Sequence, residues 1–442
     1  MPNKFNKTLL ATTLAVSPFL AHGASFQLLE QSPAHLGKAF AGTGSDITDA
    51  STVYFNPAGM TKLDRISLTA GANLVATNAK FNDEGSSYAG GGDTTDELGF
   101  IPNGYAVLPL GDRLAVGFGV GAPFGLSSSF SDDWAGRYSA TYSELQLVNV
   151  NATASWAITD VIAVGAGINY QTIEADLQSQ VDSTLGIAPD PSTDSSAKIS
   201  GDDDDFVLDL SVLITPSERT SIGVVWREGG EFKLDGTAEF HNNAACMPGA
   251  GYPTGAPPAP TTGTLCAGGL ELLSGDIEAP VNMPDTLTVS FTQYVSDGWA
   301  FHADIAQTSW SSIQNVEVTN SGNGQQVDEL DLQYDDTMRY ALGTSIDTGA
   351  WTWRAGVALD ETPQSNPEHV SPRIPDADRT WLSVGANWEL SSHLSLDFGY
   401  AHLFIDDASL REESQTAVGP AVLAGSFDSS VDIFGAQLNW RF

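Results

Sequence analysis

The sequence predicts an all-β chain: a 14-stranded antiparallel transmembrane β-barrel preceded by an N-terminal hatch. Three observations carry that expectation. Apolar and polar residues alternate with period two through many short segments. The links between segments alternate between tight and long. The chain ends on an aromatic residue inside its last segment, at Asn439-Trp440-Arg441-Phe442.

The alternation is plain near the C-terminus. Leu396, Phe398, Tyr400 and His402 share one face, and Ser395, Asp397, Gly399 and Ala401 the other. Leu382, Val384, Ala386 and Trp388 repeat the pattern, as do Trp351, Trp353, Ala355, Val357 and Leu359. Successive side chains of a strand point to opposite faces, so this period is that of strands. A soluble sandwich would alternate too, and the links decide between them.

Strands are predicted near 66–80, 99–109, 114–123, 143–158, 162–179, 205–215, 219–240, 276–296, 299–317, 331–347, 351–361, 379–390, 394–405 and 425–442. The links at 109–113, 159–161, 215–218, 297–298, 348–350 and 391–393 are tight, and the others are long. Short turns on one side and long loops on the other mark an outer-membrane barrel. An even strand number returns the chain to the side it entered, so both termini of the mature chain are expected in the periplasm. Closure removes the unpaired edges that lipid would not tolerate. Trp299, Trp310, Trp351, Trp388 and Trp440 lie near strand ends and are expected in interfacial belts.

The N-terminus reads as a signal peptide over 1–23. Lys4 and Lys7 precede an apolar run from Leu9 to Leu20, and Ala21-His22-Gly23 supplies small residues for cleavage after Gly23, with Ala24 the alternative. The run is shorter than the roughly 18–20 residues a membrane span needs. No later stretch reaches that length, which excludes a helical membrane protein.

Lysine and arginine total 18 against 55 acids, for a net charge of −37. Loss of Lys4 and Lys7 with the leader takes this to −39. So negative a chain excludes nucleic acid as a partner. Cys246 and Cys266 have neither redox nor zinc spacing, and in an exported chain they are expected to form one disulfide across a proline-rich loop. Asp202 to Asp205 reads as a solvated acidic loop, with a calcium site as the alternative. No cofactor or structural metal is called for. No Gly-x-Ser-x-Gly elbow occurs, and His241 and His302 are isolated, so enzymatic activity is not expected.

Residues 24–62 do not alternate, whereas 63–442 form the barrel. Fourteen closed strands leave a lumen wider than side chains alone fill. The N-terminal segment has the size and composition of a plug. A plugged barrel favours a specific carrier over an open, water-filled pore.

Several blocks then point to a family. Ser25-Phe26-Gln27-Leu28-Leu29-Glu30-Gln31-Ser32, Leu36-Gly37-Lys38-Ala39-Phe40-Ala41-Gly42 and Asn56-Pro57-Ala58-Gly59-Met60 occur in order in the N-terminal segment. Trp134-Ala135-Gly136-Arg137-Tyr138, Pro372-Arg373-Ile374-Pro375-Asp376-Ala377-Asp378-Arg379-Thr380-Trp381 and Phe442 follow in the barrel. With these blocks the whole mature chain resembles the FadL-type outer-membrane transporters of long-chain fatty acids and other hydrophobic compounds. The resemblance implies fourteen strands, a hatch, an outer hydrophobic groove and a tighter pocket within. It also implies passive, lateral exit through a gap at a kinked strand, and a monomer. The expected function is uptake of long-chain fatty acids across the Gram-negative outer membrane, among its lipid and lipopolysaccharide. The alternative is a channel of the same fold for neutral or aromatic hydrophobic compounds.

Asn56, Pro57, Ala58 and Gly59 are the candidate hatch gate. Pro57 fixes the backbone, Asn56 bonds to it locally, and Gly59 permits a tight turn. A purely structural turn is the alternative. A fatty-acid carboxylate needs a donor in a dry pocket. Alternation places Arg227, Arg339 and Arg354 on inward faces, where each is a candidate ligand-binding residue or a partner for Asp304 or Asp397. Phe124, Leu126, Phe130, Trp134 and Tyr138 are candidates for the outer groove, with simple loop packing as the alternative.

Overall fold

The computed structural model describes residues 25–182, 189–243, 273–416 and 419–442. The expected leader at 1–23 lies outside them. The first half of the chain forms β1 (Ser67–Asp83), β2 (Thr94–Pro109), β3 (Leu114–Ser129), β4 (Tyr142–Ala157), β5 (Ile162–Val181), β6 (Ser195–Ser217), β7 (Thr220–Arg227), β8 (Glu231–His241) and β9 (Gly275–Asn282). The second half forms β10 (Thr286–Ser296), β11 (Trp299–Thr308), β12 (Asn315–Asn320), β13 (Gln326–Asp331), β14 (Thr337–Asp347), β15 (Trp351–Asp360), β16 (Arg379–Ser391), β17 (Leu394–Ile405), β18 (Ala408–Thr416) and β19 (Gly419–Arg441).

Fourteen of these close the wall. β1 through β7 pair in sequence, β7 pairs with β10, β10 with β11, and β11 with β14. β14 to β17 follow in order, β17 pairs with β19, and β19 returns to β1 along seventeen residue pairs, Ser67↔Arg441 to Asp83↔Gly425. Every pairing is antiparallel. The other five strands extend the wall on the side of the long loops. β8 pairs with the upper part of β6, β9 with β8, β12 with β9 and β13, and β18 with β19. Phe442 N–H donates to Ile66 O at 3.0 Å on the short-turn rim, which the parity of the links assigns to the periplasm.

The pleat sorts side chains by solvent. Leu74, Phe118, Leu210, Leu342 and Phe434 are exposed on the outer wall, where lipid covers them, while Asn73, Asn103, Asn151 and Asn169 are buried inside. Among the described residues no helix is long and apolar enough to cross a membrane; the chain crosses as strands. Aromatic residues gather near the short-turn rim. Trp351 stacks on Trp388 at 5.3 Å and on Trp353 at 5.6 Å, and Trp440 stacks on Phe442 at 4.8 Å. Trp310 departs from the belt expectation. It is fully buried, because the chain turns inward after β11.

The hatch comprises α1 (Pro33–Leu36), α2 (Thr52–Phe55) and a 3₁₀ turn (Pro57–Lys62). α1 touches β1, β16, β17 and β19, α2 touches β2 to β4, and the 3₁₀ turn touches β2 to β6. The segment therefore spans the lumen. Leu36, Phe40, Val53, Phe55 and Met60 pack with Val75, Ile101, Trp381 and Leu403 of the wall. Fit is closest where both sides are small: a Cβ on Gly37 would lie 2.8 Å from Gly385 Cα. Hatch backbone is satisfied by wall side chains. Asp304 accepts from Gly42 N–H at 2.7 Å and Thr43 N–H at 3.1 Å, and Ser290 Oγ accepts from Gly44 N–H at 2.9 Å.

Two expectations change. The Cys246–Cys266 disulfide is withdrawn, because among the described residues no cysteine pair lies at disulfide distance. Export and an even count do not fix the Cα separation of roughly 4.4–6.8 Å that a bridge requires. Both cysteines fall in 244–272, outside the described residues. Asp202 to Asp205 is strand, not loop: Glu174↔Asp202 to Gln171↔Asp205 continue the β5–β6 ladder. Among the described residues no cluster of three His, Cys, Asp or Glu side chains is placed to hold a metal.

Candidate binding cavity and gap in the wall

The wall is incomplete between β2 and β3. These strands pair from Pro109↔Ala115 to Gly104↔Val120 and then part. The rest of β2 stays with β1 as far as Lys80↔Thr94, and β3 stays with β4 as far as Ser129↔Tyr142. The cause is local. The β3–β4 register shifts between Gly121 and Phe124, so Ala122 and Pro123 form a bulge. A bulge bends its strand, and Pro123 has no N–H to offer a ladder.

The start of the described chain covers the β3 edge. Gln27 bridges Phe124, Leu28 N–H donates to Pro123 O at 2.8 Å, and Gly125 N–H donates to Phe26 O at 2.9 Å. Gln31 Nε2 donates to Ala122 O at 2.6 Å, and Tyr105 Oη donates to Gln31 O at 3.0 Å. Ser25 N–H donates to Asp376 Oδ2 at 2.8 Å, in the link between β15 and β16. The hatch segment thus begins near the long-loop end of the lumen, whereas Phe442 sits on the short-turn rim.

Beside this clasp lies an apolar cavity of about 90 Å³, well below the roughly 300–1,000 Å³ usual for ligand sites, so cargo must displace side chains to enter it. Leu126, Ile173, Ile199, Leu234, Ile277 and Val318 line it, with Phe26 at one end and Arg373 among the walls. Phe26 meets Trp310 edge-on at 4.9 Å and Phe124 at 6.0 Å. The strands supplying the lining are β3, β4, β5, β6, β8, β9, β12 and β13, so the extended rim builds the cavity as much as the wall does.

Of the sequence candidates, Leu126 lines this cavity and Phe124 packs behind it. Phe130 and Trp134 do not face a groove. They stack at 4.4 Å and pack with Phe81 and Phe427 as the core of the rim. Tyr138 Oη donates to Asp194 beside the Arg137 Nε–Asp194 ion pair at 2.8 Å. Burial pushes the Asp194 carboxyl up, and its bonds from Arg137 and Tyr138 counter this.

The three candidate arginines lie lower, at the seam with the hatch. Arg227 donates to Tyr54 O and stands 4.0 Å over the Tyr54 ring. Arg339 Nη2 donates to Ala39 O at 2.8 Å, and its Nε lies 3.8 Å from Asp360. Arg354 pairs with Asp397. None of the three lines the apolar cavity. Arg373 does, and it was visible in the sequence only as part of a family block.

Asn56, Pro57, Ala58 and Gly59 sit together at the opposite side of the plug. Asn56 Oδ1 accepts from Ala58 N–H at 3.1 Å, and its Nδ2 donates to Gly44 O at 2.6 Å. Pro57 opens the 3₁₀ turn. A Cβ on Gly59 would come within 2.4 Å of Thr52 Oγ1 and 2.5 Å of Ile47 Cδ1.

Comparison with known proteins places these features in context. Residues 14–442 match the family model described as outer membrane protein transport protein (OMPP1/FadL/TodX). The long-chain fatty acid transport protein of Escherichia coli K12 is 27% identical over 99% of each chain. A solved Pseudomonas aeruginosa FadL homologue aligns with a TM-score of 0.84 at 22% identity, over 95% of this chain and all of its own. The toluene transporter TodX of P. putida aligns with a TM-score of 0.65 at 17% identity, over 93% of this chain and 99% of its own.

Proposed function

The chain belongs to the OMPP1/FadL/TodX family, passive outer-membrane channels for hydrophobic small molecules, and on that footing we propose that cargo enters the apolar cavity, displaces Phe26 and leaves sideways between β2 and β3. One observation carries this reading: the segment that plugs the cavity with Phe26 is the segment that covers the β3 edge, through Gln27, Leu28 and Gly125. A molecule that takes the place of the ring removes a contact that holds the cover down.

We propose further that the cavity admits neutral hydrophobic compounds, aromatic hydrocarbons among them. Its apolar lining supports this, as does the likeness of fold to a toluene transporter. Each methylene or equivalent apolar group moved from water contributes roughly 0.8 kcal/mol. Long-chain fatty acids are the second reading, favoured by Arg373 in the cavity wall and by the E. coli relative.

The route is tested by a lock. Gln27→Cys with Phe124→Cys, in a background free of Cys246 and Cys266, places two thiols on directly paired residues. Uptake of labelled oleate and labelled toluene is measured in cells lacking their own carrier. Oxidation should abolish uptake and a reductant restore it. Full uptake through the oxidised protein would remove the lateral route, and the ratio of the two cargoes chooses between the readings.

A further inference from the structure

Within the clasp, Glu30 is buried without a partner. It stands between the residues that fasten the segment: Leu28 N–H donates to Pro123 O at 2.8 Å, and Gln31 Nε2 donates to Ala122 O at 2.6 Å. Its backbone is fixed too, since Asn73 Nδ2 of β1 donates to Glu30 O at 2.7 Å. The side chain is fully buried, yet among the described residues neither carboxylate oxygen has a hydrogen-bond partner. The charged groups that act on it are engaged elsewhere. Arg339 of β14 donates to Ala39 O and faces Asp360 of β15, and Arg379 of β16 pairs with Asp376 of the link before it. From the hatch itself, the Tyr54 hydroxyl of α2 feels the Glu30 charge.

A buried carboxylate that stays ionised and unpaired is costly. It either takes a proton or moves to water. Burial pushes the Glu30 carboxyl up to about 7, against the pull of Arg339 and Arg379 and with a further push from Asp360. Once the segment lifts into water, the carboxyl returns to its ordinary 4.5. We propose that Glu30 is a proton switch on the clasp: its proton keeps the segment seated over the β3 edge, and loss of that proton favours the lifted arrangement. The effect on uptake rests on the route between β2 and β3 proposed above. The clasped arrangement holds the proton more tightly than the lifted one, so acid favours it. That advantage is full below pH 4.5, falls as pH rises to about 7, and is gone above. It amounts to about 300-fold in the ratio of clasped to lifted protein, about 70-fold of which falls between pH 5 and pH 8.

The test follows hydrogen exchange of the full-length protein in nanodiscs at pH 5 and pH 8. Rates at the Leu28 and Gly125 amides are divided by those of an unstructured amide at the same pH, with the β4–β5 ladder around Asn151↔Asn169 as the control. Uptake of labelled toluene, which has no charge to titrate, is measured at both pH values in cells lacking their own carrier. Wild type should lose about 70-fold of its protection at Leu28 from pH 5 to pH 8, and toluene uptake should rise with it. Glu30→Gln keeps the shape of the protonated acid and should hold protection high at both. Equal protection at the two pH values in wild type overturns the switch and leaves the route standing. So does a pH effect that persists undiminished in Glu30→Gln, because another group then carries it. A clasp that follows pH through Glu30 while toluene uptake follows neither upholds the switch and overturns the route.

Discussion

Phe26→Ala tests the coupling between cavity and gap. The ring packs on Phe124 and Trp310 and is 3% exposed. Truncating a fully packed phenylalanine costs about 3–5 kcal/mol. One side of this ring faces open cavity, so about 2–3 kcal/mol is the appropriate figure. That loss falls on the clasped arrangement, since the unclasped segment makes neither contact. At 1.4 kcal/mol per factor of ten, the clasped population should drop about 30- to 150-fold relative to the unclasped. Hydrogen exchange reads this directly, because the bonds of Leu28 N–H and Gly125 N–H to Pro123 O and Phe26 O exist only when the clasp is closed. Both amides should exchange faster by that factor, while amides of the β4–β5 ladder around Asn151↔Asn169 keep their protection. Unchanged exchange at Leu28 and Gly125 would show that Phe26 merely fills space, and the proposed coupling would fall.

Other perturbations address the hatch and the wall. Gly59→Val should unseat the 3₁₀ turn, because its first side-chain atom meets Thr52 and Ile47 at about 2.5 Å; protease cleavage within residues 52–62 should appear while the barrel resists. Asp304→Asn removes the charge that accepts two hatch amides. It should weaken hatch docking by about 1.5 kcal/mol, seen as faster exchange at Gly42 and Thr43. Trp388→Ala breaks a stack on the outer wall and should lower thermal stability by about 0.5–1.5 kcal/mol. Cargo selectivity should not change.

The wall was legible because its signals are local. Period two gave each strand a face, and the tight turns gave the parity that fixes fourteen. The cavity was not legible, since Leu126, Ile173, Leu234 and Val318 come from four different strands and meet only through the register of the rim. Nor did an even count place the start of the hatch. It constrains Ser67 and Arg441 at the ends of the wall, and residues 25–28 answer instead to the vacant edge of β3. The bulge had a signal, Pro123 inside an otherwise regular strand. Alternation correctly turned Arg227, Arg339 and Arg354 inward, but facing is not depth. At their level the hatch presents Tyr54 O and Ala39 O, and those carbonyls take two of the guanidiniums. Phe130 and Trp134 looked free because loop residues carry no periodicity to reveal the core they build.

The two ends of the lumen explain why a sideways route is the economical one on the proposed mechanism. Above the hatch the cavity is lined by leucine, isoleucine and valine. Below it, toward the short-turn rim, a second pocket is lined by Asp46, Asp49, Asp347, Glu389, Asp397 and Arg354. A molecule with ten apolar carbons passing from the first to the second would surrender on the order of 8 kcal/mol, a barrier that thermal motion crosses rarely. The same molecule moving between β2 and β3 goes from apolar side chains to hydrocarbon and gives up little. The hatch therefore need not move out of the barrel for transport. It has only to yield at residues 25–28, while the polar seam held by Asp304, Arg354 and Asn56 stays shut against solutes that dissolve in water.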